Sequence, residues 1–261
     1  MSVVEKVLEK SEQFFFDKKV QDIVVGVSLI AVQLSDGSLG ISYVLRDSLP
    51  SGCSIFPYAK EVPGKTVKET AEWILTGKEY LQKAIGGAIL CAALEDTGVP
   101  DEKKSENPYG ININADDKVG MIGFIPPVAD MFMKHAGSLI VFDQGISLRG
   151  GGERGCDAKV MPMEKQQEML PDRDIVVLSG TTTVNGTIDG LLEICKKARE
   201  IIMIGPSTPM CPEGFKGSGI TRLAGSFWDR SHKEDIFKNI SQAGGIAHVK
   251  KYMIKKSANV M

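Results

Sequence analysis

Two loops carry most of the side chains in this chain that can bind or activate a small polar molecule. One is Ser179-Gly-Thr-Thr-Thr-Val-Asn-Gly-Thr187, which follows the apolar run 175–178. The other is Gly205-Pro-Ser-Thr-Pro209, which follows the apolar run 201–204. Hydroxyl and amide donors at such positions polarise a carbonyl during condensation or hydrolysis. Asn185, Thr182 and Ser207 are therefore the candidate catalytic groups, and Thr181, Thr183, Gly205, Pro206 and Thr208 are candidate substrate contacts. Asn185 or Thr187 also has the chemistry to cap a helix beginning near Ile188. Pro206 and Pro209 restrict φ and remove donors, which presets Ser207 and Thr208 and lowers the entropy lost on binding.

A third segment, Gly120-Met-Ile-Gly123-Phe-Ile-Pro-Pro127, stands where the first turn of a nucleotide-binding sheet would be. It is not a G-x-G-x-x-G fingerprint, because Pro126 and Pro127 remove N–H groups that a pyrophosphate would need. Asp143 ends the next strand, the place where an acidic residue accepts ribose hydroxyls in such sheets. Gly123, Phe124, Pro126 and Asp143 join the candidate substrate contacts on this reasoning. Arg149-Gly-Gly-Gly-Glu-Arg-Gly155 is a glycine-rich loop whose Arg149 or Arg154 can pair an anion. His135, His232 and His248 have no metal-ligand spacing, and His135 is expected to pack inside its helix. No metal site is predicted and no cofactor is identified.

These loops need strands to hold them. Alternating apolar runs and helical stripes predict strands at 119–124, 139–142, 175–178 and 201–204. Helices are predicted around 128–136, 188–195 and 236–240, with a last strand at 249–254. That alternation predicts a parallel, Rossmann-like sheet, whose ligands bind outside the carboxyl ends of its strands. The first hundred residues read differently. An amphipathic helix over 4–16 precedes β-rich runs at 20–34 and 39–45, joined through Ser35-Asp-Gly-Ser38, a hairpin signal. Helices follow from Thr66, with Glu69 at capping-box spacing, and over 79–95, where Gly86-Gly87 admits another backbone. The polar stretch 97–118 divides an α+β unit, residues 1–100, from an α/β unit, residues 101–261.

Composition narrows the function classes. The 261 residues carry a net charge of −2, which argues against a general nucleic-acid binder. No leader is read at the start and no apolar run approaches the ~20 residues that cross a bilayer. The five cysteines are odd in number and scattered, as reduced cytoplasmic thiols are. A homodimer is the base-rate oligomer.

The Thr/Asn loop, the Gly-Pro-Ser-Thr-Pro loop, the Gly-Phe-Ile-Pro-Pro turn and the late Gly244-Gly245 together resemble the heavy-metal chelation family. The resemblance covers the whole chain. It implies an enolase N-terminal-like domain followed by a Rossmann-like domain, with the site between them. It also implies a role in making or handling metal-chelating small molecules, pterin-, flavin- or siderophore-like, without implying that the protein itself binds metal. The expected function is an enzyme for condensation or hydrolysis of a small heterocyclic metabolite at the interdomain cleft. Ser48 to Ser54, around Gly52, would supply a wall from the first domain. Two alternatives remain: an S-adenosylmethionine-dependent methyltransferase-like enzyme with Asp143 on the ribose, and a non-catalytic carrier of a metal chelate or cofactor.

Overall fold

The computed structural model describes residues 1–49, 56–102, 108–147 and 158–260. It opens with helix α1 (Val3–Ser11), closed by a capping box in which Ser2 and Glu5 satisfy each other's backbone N–H groups. Strands β1 (Val20–Val25), β2 (Leu29–Leu34) and β3 (Leu39–Tyr43) then form an antiparallel meander in the order β1-β2-β3. The apolar run expected over 20–34 is two strands, because Gly26 turns the chain and its N–H donates to Leu29 O. The Asp36-Gly37 hairpin forms between β2 and β3, with Gly37 at φ +86°.

Helices α2 (Val67–Ala71), α3 (Trp73–Thr76) and α4 (Tyr80–Ala93) follow; α4 covers one face of this sheet at β2 and β3, and α2 and α3 pack on α4. Thr66 caps α2 through the Glu69 N–H, but the Glu69 carboxylate pairs with Lys65 instead of closing the box. Helix α4 is buried from Ala84 to Ala93, as an all-round apolar helix must be. Glycines allow its close packing. A Cβ built on Gly40 would lie 2.0 Å from Ala88 O, and one on Gly86 would lie 2.5 Å from the Ile74 backbone N.

The second unit contains β4 (Lys118–Ile122), α5 (Pro126–His135), β5 (Ser138–Phe142), α6 (Gln144–Ser147), β6 (Lys159–Met161) and α7 (Gln166–Met169). It continues with β7 (Ile175–Ser179), α8 (Thr181–Val184), α9 (Ile188–Ile194), β8 (Glu200–Ile204), α10 (Pro212–Phe215) and β9 (Arg222–Trp228). Helices α11 (Lys233–Ser241) and α12 (Ile246–Val249) precede the last strand, β10 (Met253–Asn259). The sheet order is β10-β9-β8-β7-β4-β5-β6. All neighbours are parallel except β9 and β10. The sheet is therefore mixed, where the sequence predicted a parallel one, and its last strand starts at Met253 because 246–249 is α-helical and 250–252 a 3-10 turn.

The two units share their cores. The second face of the N-terminal sheet, with Leu29, Ala31, Leu39 and Ile41, packs on Trp228, Ile236, Ile240 and Val249. Helix α1 crosses to α10, where a Cβ on Gly214 would come 2.6 Å from the Val7 Cα. Arg230 reaches from the end of β9 to Glu95, the Asp36 carbonyl and the Ser38 hydroxyl. The connecting segment lies along β10, with the Glu102 N–H donating to Lys255 O.

Candidate functional site

Strand order places the topological switch between β4 and β7: from β4 the chain runs outward to β5 and β6, then returns to β7 and beyond. Ligands of open α/β sheets bind in the crevice at the carboxyl ends of such strands. Here the floor of the crevice is Gly123 against Ser179. Gly123 sits at φ +87°, and a Cβ on it would lie 2.8 Å from the Ser179 Cβ. The Gly123 N–H donates to Phe142 O, and the Phe124 N–H donates to Asp143 Oδ2 at 2.8 Å. The Asp143 carboxylate thus holds the turn after β4.

Pro126 and Pro127 occupy the first two positions of α5, and the next two N–H groups, of Val128 and Ala129, both donate to Ile125 O. That first turn presents no free donor to a phosphate, so the usual anion site at a helix N-terminus is closed here.

The three consecutive threonines each turn back on the strand end. The Thr181 hydroxyl donates to Ser179 Oγ at 2.9 Å, Thr182 to Ser179 O at 2.8 Å and Thr183 to Gly180 O at 2.8 Å. Thr182 and Thr183 are buried, whereas Thr181 is half-buried beside the crevice. Asn185 Oδ1 accepts both the N–H and the hydroxyl of Thr187, which stabilises the turn into α9.

The loop after β8 is pressed against this segment: a Cβ on Gly180 would lie 2.5 Å from the Thr208 N. Gly205, at φ +115°, starts the loop with open space beside it, and Pro206 is buried behind it. Ser207 faces the N-terminal unit. Its hydroxyl lies 3.2 Å from Ser42 Oγ and accepts the Tyr43 N–H at 3.2 Å. Burial pushes the Tyr43 phenol up. Thr208 is buried, and its hydroxyl has no hydrogen-bond partner among the described residues.

The structure therefore brings Gly123, Phe124, Asp143 and Thr181 to the switch-point crevice. It puts Thr182, Thr183, Asn185 and Ser207 into bonds that hold the loops. Arg149 and Arg154 lie outside the described residues, as does the stretch 50–54 of the proposed wall. Two contributors to the crevice had no role in the sequence reading. Ser179 opens the Thr/Asn loop in the sequence without being among its candidate contacts, and in the structure it is the last residue of β7. Asp47, from the turn after β3, borders the same glycine as Asp143: a Cβ on Gly145 would lie 3.3 Å from Asp47 Oδ2 and 3.5 Å from Asp143 Oδ1. No local pattern pairs Asp47 with Asp143, since the shared border joins the two units.

A directly bound heavy metal favours thiolate or imidazole donors. Cys91, Cys195 and Cys211 are buried, and burial pushes the Cys91 thiol up to about 12 and the Cys195 thiol up to about 11, away from the thiolate a metal needs. Among the described residues no three His, Cys, Asp or Glu side chains converge. His135, expected inside, is exposed: it is in phase with Val128 and Phe132, which face the core, but it is the last residue of α5, where the helix ends before Ala136. These residues do not fit a resident heavy metal.

Fold and crevice together define a two-domain α/β protein with a mixed, Rossmann-like sheet. The chain belongs to the family described as "Putative heavy-metal chelation": residues 108–259 match its DUF364 model, and residues 9–94 match a second model of the same description, DUF4213. An uncharacterised protein of Methanocaldococcus jannaschii is 35% identical over 126 residues, 47% of this chain. The match covers 46% of that protein, so the chain spans about half the length of the curated relative it matches. Two solved structures share the fold. A DUF364-family protein of unknown function from Pyrococcus horikoshii has a TM-score of 0.76 at 21% identity, covering 99% of this chain and 100% of that one. Another from Desulfitobacterium hafniense has a TM-score of 0.76 at 19% identity, covering 98% and 97%. Among the described residues no helix is long and apolar enough to cross a membrane.

Proposed function

We propose that this chain binds a small, polar, heterocyclic metabolite with metal-chelating groups in the crevice between β4 and β7. The pterin-, flavin- or siderophore-like class is the chemistry we assign to it. One observation carries the reading: Asp47 of the N-terminal unit and Asp143 of the sheet border the same glycine, beside the Ser179–Thr181 hydroxyl pair. Carboxylates accept the N–H and O–H groups of a heterocycle, and hydroxyls both donate and accept. The metal then enters as part of the chelate, bound by the ligand rather than by a protein site.

The reaction we assign is condensation or hydrolysis, with Asp47 or Asp143 as the base and the Ser179 and Thr181 hydroxyls orienting the substrate. The buried Thr182 and Ser207 support the loops, and Asn185 shapes the turn behind them. Under the same reading the N-terminal meander and its helices act as an enolase N-terminal-like cover, in a reduced cytoplasmic protein. A methyltransferase-like alternative draws on Asp143 alone, at the end of the strand beside β4.

A thermal-shift panel of pterins, flavins, catechol chelators and S-adenosylmethionine, each tested free and metal-loaded where it chelates, decides among these readings. A ligand at 100 times its dissociation constant stabilises by about 2.7 kcal/mol. The expected result is a shift with a pterin, flavin or chelator that Asp47→Asn abolishes. A shift with S-adenosylmethionine alone selects the methyltransferase reading. A shift unchanged by Asp47→Asn rules out the crevice as drawn here.

A further inference from the structure

Away from the crevice, the N-terminal unit carries a groove of about 340 Å³ lined by Val25, Val27, Val44, Leu49 and Leu81, with Arg46 as its charged lining residue. Gly26 and Ser241 complete the wall. Val25 and Val27 are 40% and 54% exposed, large apolar side chains left open to water beside the groove. A volume of this size is that of a small-molecule site lined by apolar side chains with few polar groups.

Arg46 is the second observation. Of the five arginines in the described residues, Arg173, Arg199, Arg222 and Arg230 each donate to a protein acceptor. Arg46 alone makes no side-chain hydrogen bond or ion pair among the described residues. A guanidinium is suited to bidentate recognition of a carboxylate. An apolar trough carrying one unpaired guanidinium complements a molecule with an aliphatic body and one anionic end.

We propose that this groove binds an aliphatic monocarboxylate, its chain along Val25, Val27, Val44, Leu49 and Leu81 and its carboxylate on Arg46. The site is separate from the crevice. Arg46 lines the groove while its neighbour Asp47 borders Gly145 on the crevice side.

Isothermal titration of the full chain with hexanoate, octanoate, octanol and octylamine tests this. Octanoate is expected to bind, with hexanoate weaker by about fourfold for each methylene removed. Octylamine is expected not to bind, and octanol to bind at least about tenfold more weakly than octanoate, since it lacks the charge-assisted bond. Arg46→Leu should weaken octanoate by a similar factor, and Arg46→Lys should retain part of the affinity. Val27→Asp, at an exposed position, should abolish binding without loss of helical circular dichroism. Asp47→Asn should leave octanoate binding intact, which separates this site from the crevice. Octanol binding as tightly as octanoate, octanoate binding unchanged in Arg46→Leu, or no heat with octanoate at millimolar concentration would each overturn the proposal.

Discussion

The hydroxyl of Ser207 accepts the backbone N–H of Tyr43 at 3.2 Å, so the proline-stiffened loop after β8 is fastened to the last strand of the N-terminal sheet. Ser42 Oγ, also at 3.2 Å, completes the joint. The joint is dry: Ser42 is fully buried and Ser207 nearly so. Removing one partner of such a bond leaves the other unsatisfied, at a cost of about 1–3 kcal/mol. Ser207→Ala is therefore expected to lower the unfolding free energy by that amount, read as a lower urea midpoint with the m-value unchanged. If the substitution leaves stability intact and instead abolishes ligand-induced stabilisation, Ser207 belongs to the binding machinery after all.

Thr208, the next residue, leads to the opposite expectation. Its buried hydroxyl has no partner among the described residues, so its desolvation on folding goes uncompensated by them. Replacement by valine, of similar shape, removes the unsatisfied group. Thr208→Val should be neutral or raise Tm, read by calorimetry. A loss of more than about 1 kcal/mol would show that an ordered water or a ligand atom satisfies the hydroxyl.

Acid should loosen the joint on the other side of the N-terminal sheet. Lys18 pairs with Asp36 at 2.9 Å and Asp96 at 2.8 Å. Burial disfavours the Asp36 charge, but the bonds from Lys18 and Ser38 outweigh it and hold its carboxyl below the ordinary value. A carboxylate depressed in the folded state contributes stability above its unfolded value, about 3.9, and loses it as pH falls through the folded value. Lys18 is opposed by burial too, and its bonds to Asp96 and Asp36 raise its pKa, so its contribution persists below about 10.4 and is lost as pH rises through the raised value. Urea midpoints between pH 5 and pH 2 should fall less steeply in Asp36→Asn than in the parent chain. Parallel curves would mean that Asp36 does not drive the acid limb.

Why these joints were invisible in the sequence, while the strands they join were legible, follows from the kind of signal involved. The hairpin over Asp36-Gly37 and the β4, β5, β7 and β8 strands declare themselves through short-range pattern: β-branched runs, a glycine that tolerates φ +86°, apolar blocks of buried-strand length. Strand β9 escaped because Gly225 and Ser226 interrupt its apolar run. A glycine is needed at 225, where a Cβ would lie 2.5 Å from Met210 Sδ. The threonines at 181–183 stand out in the sequence as candidate contacts, but whether their hydroxyls face a ligand or the preceding carbonyls depends on the turn that α8 makes. Periodicity puts His135 on the face of Val128 and Phe132, but it does not show that α5 ends at this residue, which leaves its side chain exposed. Asp47 and Asp143 come to border Gly145 together only because the two units dock.

Glycine substitutions offer the sharpest test of the crevice floor. At Gly123 the backbone is at φ +87° and a Cβ would lie 2.8 Å from the Ser179 Cβ, so Gly123→Ala meets both strain and overlap. A left-handed non-glycine residue costs about 1–3 kcal/mol before any steric term. At Gly190, inside α9, nothing stands within 4 Å of the position a Cβ would take and the backbone is helical. There the same change relieves a helix of its least favourable ordinary residue and should stabilise by about 0.5–1 kcal/mol. Chemical denaturation of the two variants should thus move in opposite directions. Ligand-induced stabilisation should vanish only in Gly123→Ala, because displacing Ser179 takes the Thr181 hydroxyl bond with it. Equal and small effects at the two positions would mean that β4 and β7 can separate at their carboxyl ends, and the crevice would then be formed on binding rather than built into the fold.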